Sequence, residues 1–225
     1  MKTRTRTIEQ IVEDQVKKWS LFNSEKVQDQ DLVHQKAITI SREPGSGGRL
    51  VAEKLAEKLN FDYFDKEILQ KMSESSQVSN TLLETLDGKG LSVLDEWIAS
   101  LVDSRHLWPD QYLQHLMKII AAVGKHGRAV IVGRGANFIL PIEKQIRIRI
   151  VAPMNLRIER VAETHQISAE KARRRVIRTE SDRKAFIRKY FNADINDPIN
   201  YDFIINTSSV GIDFTVDVIS MAVKG

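Results

Sequence analysis

Short apolar segments alternate with longer amphipathic ones along most of the chain. AVIVG (129–133) is apolar throughout, as is typical of a strand buried on both faces. The alternation of arginine and isoleucine in IRIRIVA (146–152) places that strand nearer an edge of the sheet. In all, five apolar segments bounded by turn residues predict β-strands: AITI (37–40), FDYFD (61–65), AVIVG, IRIRIVA and YDFIINTS (201–208).

Apolar residues at helical spacing predict helices between these strands. The predicted helices cover residues 50–59 and about 66–75, 91–104, 110–125, 153–165, 168–190 and 211–223. Strands that alternate with helices indicate an α/β protein with a parallel sheet. Right-handed crossovers place helices on both faces of that sheet. Residues 66–128 hold mainly helices between two strands, and we expect this insertion to carry binding surface.

The N-terminal residues form a separate unit. Apolar side chains recur at helical spacing over residues 8–22, and a polar linker follows at 23–35. The pattern predicts an amphipathic helix with its linker (1–35), followed by the main domain (36–225). The apolar stripe either packs on the main domain or forms a homodimer contact, and the sequence leaves both possibilities open.

The composition excludes several classes of protein. Among 225 residues there is no cysteine, which excludes a disulfide scaffold, thiolate catalysis and cysteine-ligated metal centres. No apolar run approaches the roughly 20 residues of a membrane span, and no apolar segment of a secretory signal follows the basic N-terminus. We therefore expect a cytoplasmic protein without a membrane partner. The net charge of +4 suits an anionic ligand or an ordinary basic surface.

A glycine-rich loop, SREPGSGGRL (41–50), follows the first predicted strand and opens a helix. In that position, backbone N–H groups and the helix N-terminus form an anion site, and Gly45, Gly47 and Gly48 allow close approach of a phosphate. The loop departs from the motif G-x-x-x-x-G-K-[ST]. Arg49 and Leu50 stand in place of the lysine and the hydroxyl residue if Gly48 is the last loop glycine. A purely structural turn is the alternative.

Residues 171–189 concentrate the positive charge, with nine basic and two acidic side chains. Planar guanidinium groups could neutralise a phosphoryl group in transfer. Consecutive residues such as Arg173, Arg174 and Arg175 cannot all face one ligand, because they point about 100° apart on a helix. A solvated basic face and a nucleic-acid contact are the alternatives. Few aromatic residues interrupt the segment, so binding to nucleic acid is disfavoured.

Asp65 ends the second predicted strand, where ligands bind in open parallel sheets. It could orient an acceptor, hold Mg²⁺ through water, or cap the following helix, and these roles are compatible. No pair among the five histidines has zinc-ligand spacing, so we predict no protein-held metal site.

Together these motifs resemble the cytidylate kinase-like family of nucleoside monophosphate kinases. The resemblance spans about residues 36–215 and covers the motifs in their order along the chain. The glycine loop is similar to that family's variant phosphate loop, in which the lysine is typically absent. The other matching segments are DYFDKEIL, VIVGRGANFIL, IRIRIVAPMNLRIERV and NYDFIINTSSVGID.

The resemblance implies an α/β P-loop kinase fold of three layers with a five-stranded parallel sheet. It further implies a helical acceptor-binding insertion at about 66–128 and a lid at about 166–192. The implied activity is transfer of the γ-phosphoryl group of ATP, with Mg²⁺, to CMP or dCMP. A nucleotide-binding regulator without turnover and a kinase for another small acceptor are the alternatives.

The resemblance also assigns roles to residues. Residues 45–50 would bind ATP, together with Arg157 and Arg160, for which a surface helix pair is the alternative. The expected catalytic residues are Arg49, Arg178 and Arg183. The expected acceptor-binding residues are Asp65, Arg134, Arg178 and Asp182. Gly135 stands where the family carries an aspartate expected to help read the acceptor nucleotide.

Overall fold

The computed structural model describes residues 10, 36–74, 80, 82–84, 86, 88–107 and 109–224. Apart from Gln10, the predicted N-terminal helix and linker lie outside the described residues. None of the described helices combines the length and the apolarity that are needed to cross a bilayer.

The five predicted strands form one parallel sheet in the order β2-β3-β1-β4-β5. Their bounds are β1 (Ala37–Arg42), β2 (Asp62–Phe64), β3 (Ala129–Val132), β4 (Gln145–Val151) and β5 (Phe203–Asn206). Strand β1 lies at the centre, where Ile38 pairs with Val130 of β3 on one side and with Ile146 of β4 on the other. The strand prediction is therefore confirmed.

Helices occupy the segments between the strands, close to the predicted bounds. They are α1 (Gly48–Leu59), α2 (Lys66–Glu74), α3 (Gly88–Ser104), α4 (Gln111–His126), α5 (Ala136–Ile139), α6 (Met154–His165), α7 (Ala169–Phe191), α8 (Thr207–Val210) and α9 (Ile212–Lys224). The one-turn helices α5 and α8 are too short for periodicity to reveal.

Hydrophobic cores lie on both faces of the sheet. Val130 and Val132 pack in one core with residues of α1 and α9, whereas Ala129 and Ile131 pack in the other with residues of α2, α4 and α7. This double burial explains why β3 is apolar at every position. The result is the expected three-layer α/β fold with a five-stranded parallel sheet.

Strand β4 departs from the expectation drawn from its alternating sequence. It lies between β1 and the edge strand β5, and its arginines do not mark a solvent-facing side. Arg149 is only 4% exposed and donates to Ser41 Oγ at 2.9 Å and to Asn196 Oδ1 at 2.8 Å. Arg147 pairs with Asp202 at 2.6 Å. The arginines of β4 are hydrogen-bonded to polar protein groups rather than to solvent, and this accounts for the alternation of arginine and isoleucine along the strand.

Candidate functional site

The glycine loop joins the carboxyl end of β1 to α1 at the middle of the sheet. Strand β1 lies between β3 and β4, which is where ligands bind in open α/β sheets. Gly45 and Gly47 have φ values of 77° and 80°, in the left-handed region. A Cβ atom added at Gly45 would also overlap the backbone of Arg157, with its carbonyl carbon 2.9 Å away. The loop therefore needs glycine there to pack against α6.

Side chains on neighbouring elements hold the loop in place. Ser46 Oγ donates to the Glu43 carbonyl at 2.9 Å, and Thr207 Oγ1 donates to the Ser46 carbonyl at 2.7 Å. The Glu43 carboxylate accepts from the Ala152 amide at 3.0 Å and lies 3.4 Å from Arg157 Nε. Ser46 is fully buried, so its hydroxyl stabilises the loop itself.

The start of α1 shifts the expected motif register by one residue. Gly47 is the N-cap and Gly48 is the first helical residue, so Gly47, not Gly48, ends the loop. In this register Gly48 stands where the motif has lysine, and Arg49 stands where it has serine or threonine. Leu50 lies one position further along the helix.

The loop opens into a cleft of about 750 Å³, within the range of about 300–1,000 Å³ that is usual for small-ligand sites. The N-terminal end of α1, the C-terminal half of α6 and one face of α7 form its walls. The basic residues that line it are Arg42, Arg49, Lys66, Arg160, Arg175 and Arg183. The acidic ones are Glu43, Glu53, Asp65, Glu67 and Glu163.

Arg49 and Asp65, both expected at the site, line the cleft and lie 3.4 Å apart. Arg49 Nε donates to Glu53 at 2.9 Å, and this hydrogen bond raises the Arg49 pKa. Asp65 Oδ1 accepts from the amides of Glu67 and Ile68 at 2.9 and 3.0 Å. Asp65 therefore both caps α2 and faces the cleft.

Arg160 and Arg183 are fixed at the cleft by protein acceptors. Arg183 Nη1 donates to the Arg42 carbonyl at 2.8 Å, and Arg160 Nη1 donates to Thr207 Oγ1 at 3.1 Å. Burial, and secondarily the charge of Arg149, lowers the pKa of Arg183 to about 10. Both guanidinium groups are positioned beside the loop before any ligand arrives.

The other expected residues lie away from the cleft wall. Arg157 is 5% exposed and pairs with Glu180 at 2.8 Å, behind the loop. Arg134 Nη2 donates to Gln70 at 2.6 Å. Arg178 and Asp182 are exposed on α7 and are absent from the described lining of the cleft. The structure thus brings together only part of the predicted set.

Arg134 lies in a half-buried aromatic setting. Its guanidinium is 5.8 Å from the Tyr112 ring centroid and 5.6 Å from that of Phe186. Its Nε atom is buried without a hydrogen-bond partner within the described residues. This orphaned donor is the one feature that keeps Arg134 a candidate anion ligand.

The space beside Gly135 is filled by an aromatic ring. A Cβ atom added there would overlap Phe191, with Cζ 2.6 Å away, and Gly135 has a φ of 70°. Phe191 is fully buried and stacks on Phe138 with ring centroids 5.4 Å apart. The family's aspartate has no room at this position.

Sequence reasoning missed several residues of the cleft, notably Arg42, Tyr63, Lys66 and Arg175. Burial and the nearby charges of Arg134, Arg183 and Arg42 lower the pKa of Lys66. Burial raises the pKa of Tyr63 to about 12. The available signal was positional, because Arg42 ends β1 and Lys66 follows Asp65, the first residue after β2.

A resident metal cage is absent from the described residues, which contain no group of three or more histidine, aspartate or glutamate side chains suited to an ion. Mg²⁺ in kinases is usually held by one or two carboxylates together with substrate phosphates. The cleft carboxylate of Asp65 fits such a substrate-borne ion.

Comparison with known proteins gives concordant matches. Residues 37–209 match the model of the cytidylate kinase-like family. A cytidylate kinase from Methanocaldococcus jannaschii is 24% identical over 194 residues, covering 83% of this chain and 96% of that protein. A cytidylate kinase from Staphylothermus marinus is 27% identical over 183 residues, covering 81% of this chain and 93% of that protein.

One solved structure adds support for the fold. The crystal structure of an uncharacterized protein from Eubacterium ventriosum matches with a TM-score of 0.69 and 25% sequence identity. The match covers 84% of this chain and 98% of that one.

Proposed function

Because the chain belongs to the cytidylate kinase-like family, it is a phosphotransferase, and we propose that it transfers the γ-phosphoryl group of ATP to CMP or dCMP. The observation that carries the proposal is the glycine loop at the end of the central strand, which opens into a cleft lined by arginines. Backbone amides and guanidinium groups that converge on one volume are suited to a polyphosphate.

In the proposed mechanism the protein acts by positioning and by charge stabilisation, because phosphoryl transfer needs little covalent chemistry from it. The amides of residues 45–48 and the guanidinium of Arg160 hold the donor phosphates. Arg183, which already donates a hydrogen bond to the Arg42 carbonyl at the end of β1, stabilises the charge on the phosphoryl group in transfer. Asp65 orients the acceptor and would help to hold Mg²⁺, which would supply charge neutralisation at the phosphates.

Arg178 and Asp182 enter this scheme only through movement of the proposed lid. They lie on α7, the helix that also carries Arg175, Thr179 and Arg183 along the cleft. Closure of α7 over a bound nucleotide would exclude water and limit ATP hydrolysis. Their roles, and those of Arg49, Arg134 and Arg157, remain predictions.

The test is ADP release, coupled to an optical readout, with CMP, dCMP, UMP and AMP as acceptors. We expect CMP or dCMP to stimulate release, and Arg183→Ala to reduce the rate by about 10³-fold or more. The matched control is Arg173→Ala, which removes an exposed arginine of the same helix that does not line the described cleft. Lack of stimulation by every nucleotide would favour a binding protein without turnover.

A second candidate is a kinase for a different small acceptor. It is favoured by Gly135 and the Phe191 ring beside it, because they remove the carboxylate expected to read the nucleotide. A wider acceptor panel separates the two candidates, since this one predicts ADP release with a non-nucleotide acceptor and none with CMP.

A further inference from the structure

We infer that Arg42 binds the β- and γ-phosphates of the donor nucleotide and supplies the positive charge that a lysine supplies in the standard phosphate loop. The inference rests on the proposed function and names the cation of its donor subsite. Sequence resemblance assigned no role to this residue.

The Arg42 side chain occupies the space that two glycines leave open. A Cβ atom added at Gly48 would lie 2.5 Å from Arg42 Cβ, and one added at Gly133 would overlap the guanidinium, with Cζ 3.0 Å away. Gly48 stands at the lysine position of the motif, as the start of α1 shows. The missing lysine and the Arg42 side chain are therefore linked, because a side chain at 48 would exclude the present path of Arg42.

Within the described residues, the Arg42 guanidinium donates no hydrogen bond and forms no ion pair within 4 Å, although the nearby charge of Asp65 acts to raise its pKa. Other buried arginines of the molecule differ in this respect. Arg149 donates to Ser41 and Asn196, and Arg157 pairs with Glu180. Arg42 is half-buried and lines the cleft, so its unpaired guanidinium donors are available to a ligand anion that enters the cleft.

The surroundings of Arg42 add further positive charge. Burial and, secondarily, the charge of Arg183 lower the pKa of Arg42 to about 9, against the opposing effect of Asp65. Lys66 also lines the cleft, and Arg42 is among the charges that lower its pKa. The hydroxyl of Tyr63 is buried at the cleft and has no partner within the described part of the chain.

The chemistry of these groups selects a polyphosphate. A guanidinium presents several N–H donors in a planar fork that matches phosphate oxygens. The loop amides beside it bind the same type of anion. Arg42, Lys66 and Arg183 offer donors to more than one phosphate group, which favours the tail of a nucleoside triphosphate over a single phosphate.

The experiment compares the wild-type chain with Arg42→Met, Arg42→Lys and the control Arg173→Met. ATP and AMP are titrated calorimetrically in the presence of Mg²⁺, and melting temperature and turnover with CMP are measured for each variant. We expect Arg42→Met to weaken ATP binding at least tenfold and AMP binding less than twofold. Arg42→Lys should recover part of the ATP affinity, because it restores a point charge without the fork.

Stability separates a binding role from a structural one. Since the Arg42 guanidinium makes no hydrogen bond or close ion pair within the described residues, Arg42→Met should leave the melting temperature of the free protein unchanged or raise it. The upward shift of the melting temperature by ATP should shrink along with the affinity. A lower melting temperature with unchanged ATP affinity would identify Arg42 as a structural residue and overturn the inference.

The outcomes also separate this inference from the proposed function. Wild-type turnover with CMP that survives Arg42→Met within twofold overturns the inference and leaves the proposed function intact. ATP binding that is lost in Arg42→Met, in a chain that phosphorylates no nucleotide, supports the subsite and overturns the proposed function. Failure of the wild-type chain to bind ATP overturns both.

Discussion

Replacing Gly135 by aspartate introduces the residue that the family resemblance leads us to expect at this position, and the structure predicts that the substitution destabilises the protein. The backbone at Gly135 is left-handed, with a φ of 70° and a ψ of 21°. A side chain in this conformation costs about 1 kcal/mol, even for aspartate, which tolerates it best. The new Cβ must also displace the ring of Phe191, which is fully buried.

Overpacking of a well-filled core typically costs about 1–3 kcal/mol. Together with the backbone contribution, we expect Gly135→Asp to lower the free energy of unfolding by about 2–4 kcal/mol. Urea unfolding followed by circular dichroism measures this quantity directly. Turnover with CMP should not increase, because the Phe191 ring occupies the position from which the carboxylate would reach an acceptor.

The matched control places the same substitution in a Phe191→Leu background. Removing the Phe191 ring should relieve the steric part of the destabilisation caused by Gly135→Asp. The double variant should therefore be about 1–3 kcal/mol more stable than the sum of the effects of the two single substitutions predicts. Effects that add to within about 0.5 kcal/mol would show that the ring is not the obstacle. Full stability of Gly135→Asp would refute the reasoning outright.

Three further predictions follow from the described contacts. Arg178→Ala should lower turnover and leave the melting temperature unchanged, because Arg178 is exposed and acts only through the proposed lid. An unchanged rate would show that Arg178 is not part of the site. Chelation of Mg²⁺ by EDTA should abolish turnover without shifting the melting temperature, since the described residues hold no metal cluster; a large downward shift would reveal a structural ion. Burial lowers the pKa of His126 to about 4, so the folded protein keeps it neutral where the unfolded chain is protonated. Stability should therefore fall by at most about 3 kcal/mol as the pH drops from about 6.5 to about 4. His126→Gln should remove that part of the pH dependence in urea unfolding, and an identical pH profile for the variant would contradict the assignment.

The fold could be predicted from the sequence because burial imposes periodicity. A strand apolar at every position, such as Ala129–Val132, has a helical layer on each face, and the structure shows both layers. Strand β4 was placed less well, because its arginines resemble solvent-facing residues. Only the structure reveals that Arg149 is satisfied by Ser41 and Asn196 in the interior.

The site was harder to predict, because position along the chain does not determine where a long side chain ends. Arg157 and Arg160 lie three residues apart on α6, and nothing in the sequence alone distinguishes their positions. The carbonyl of Arg157 packs against Gly45, so its side chain passes behind the loop to Glu180. Arg160, one turn further along α6, lines the cleft.

The glycine loop departs from the standard phosphate-loop motif, and the sequence and the structure lead to different interpretations of that departure. From the sequence alone, Arg49 stands in place of the lysine, and the loss of the lysine leaves a nucleotide-binding protein without turnover as an alternative to a kinase. In the structure, the space at Gly48 and at Gly133 is taken by Arg42 from the end of β1. A cation that enters from the preceding strand leaves the charge beside the loop in place while changing the residue that carries it. The missing lysine is therefore no argument against catalysis in this chain, because the cleft retains an arginine whose guanidinium makes no hydrogen bond or close ion pair among the described residues.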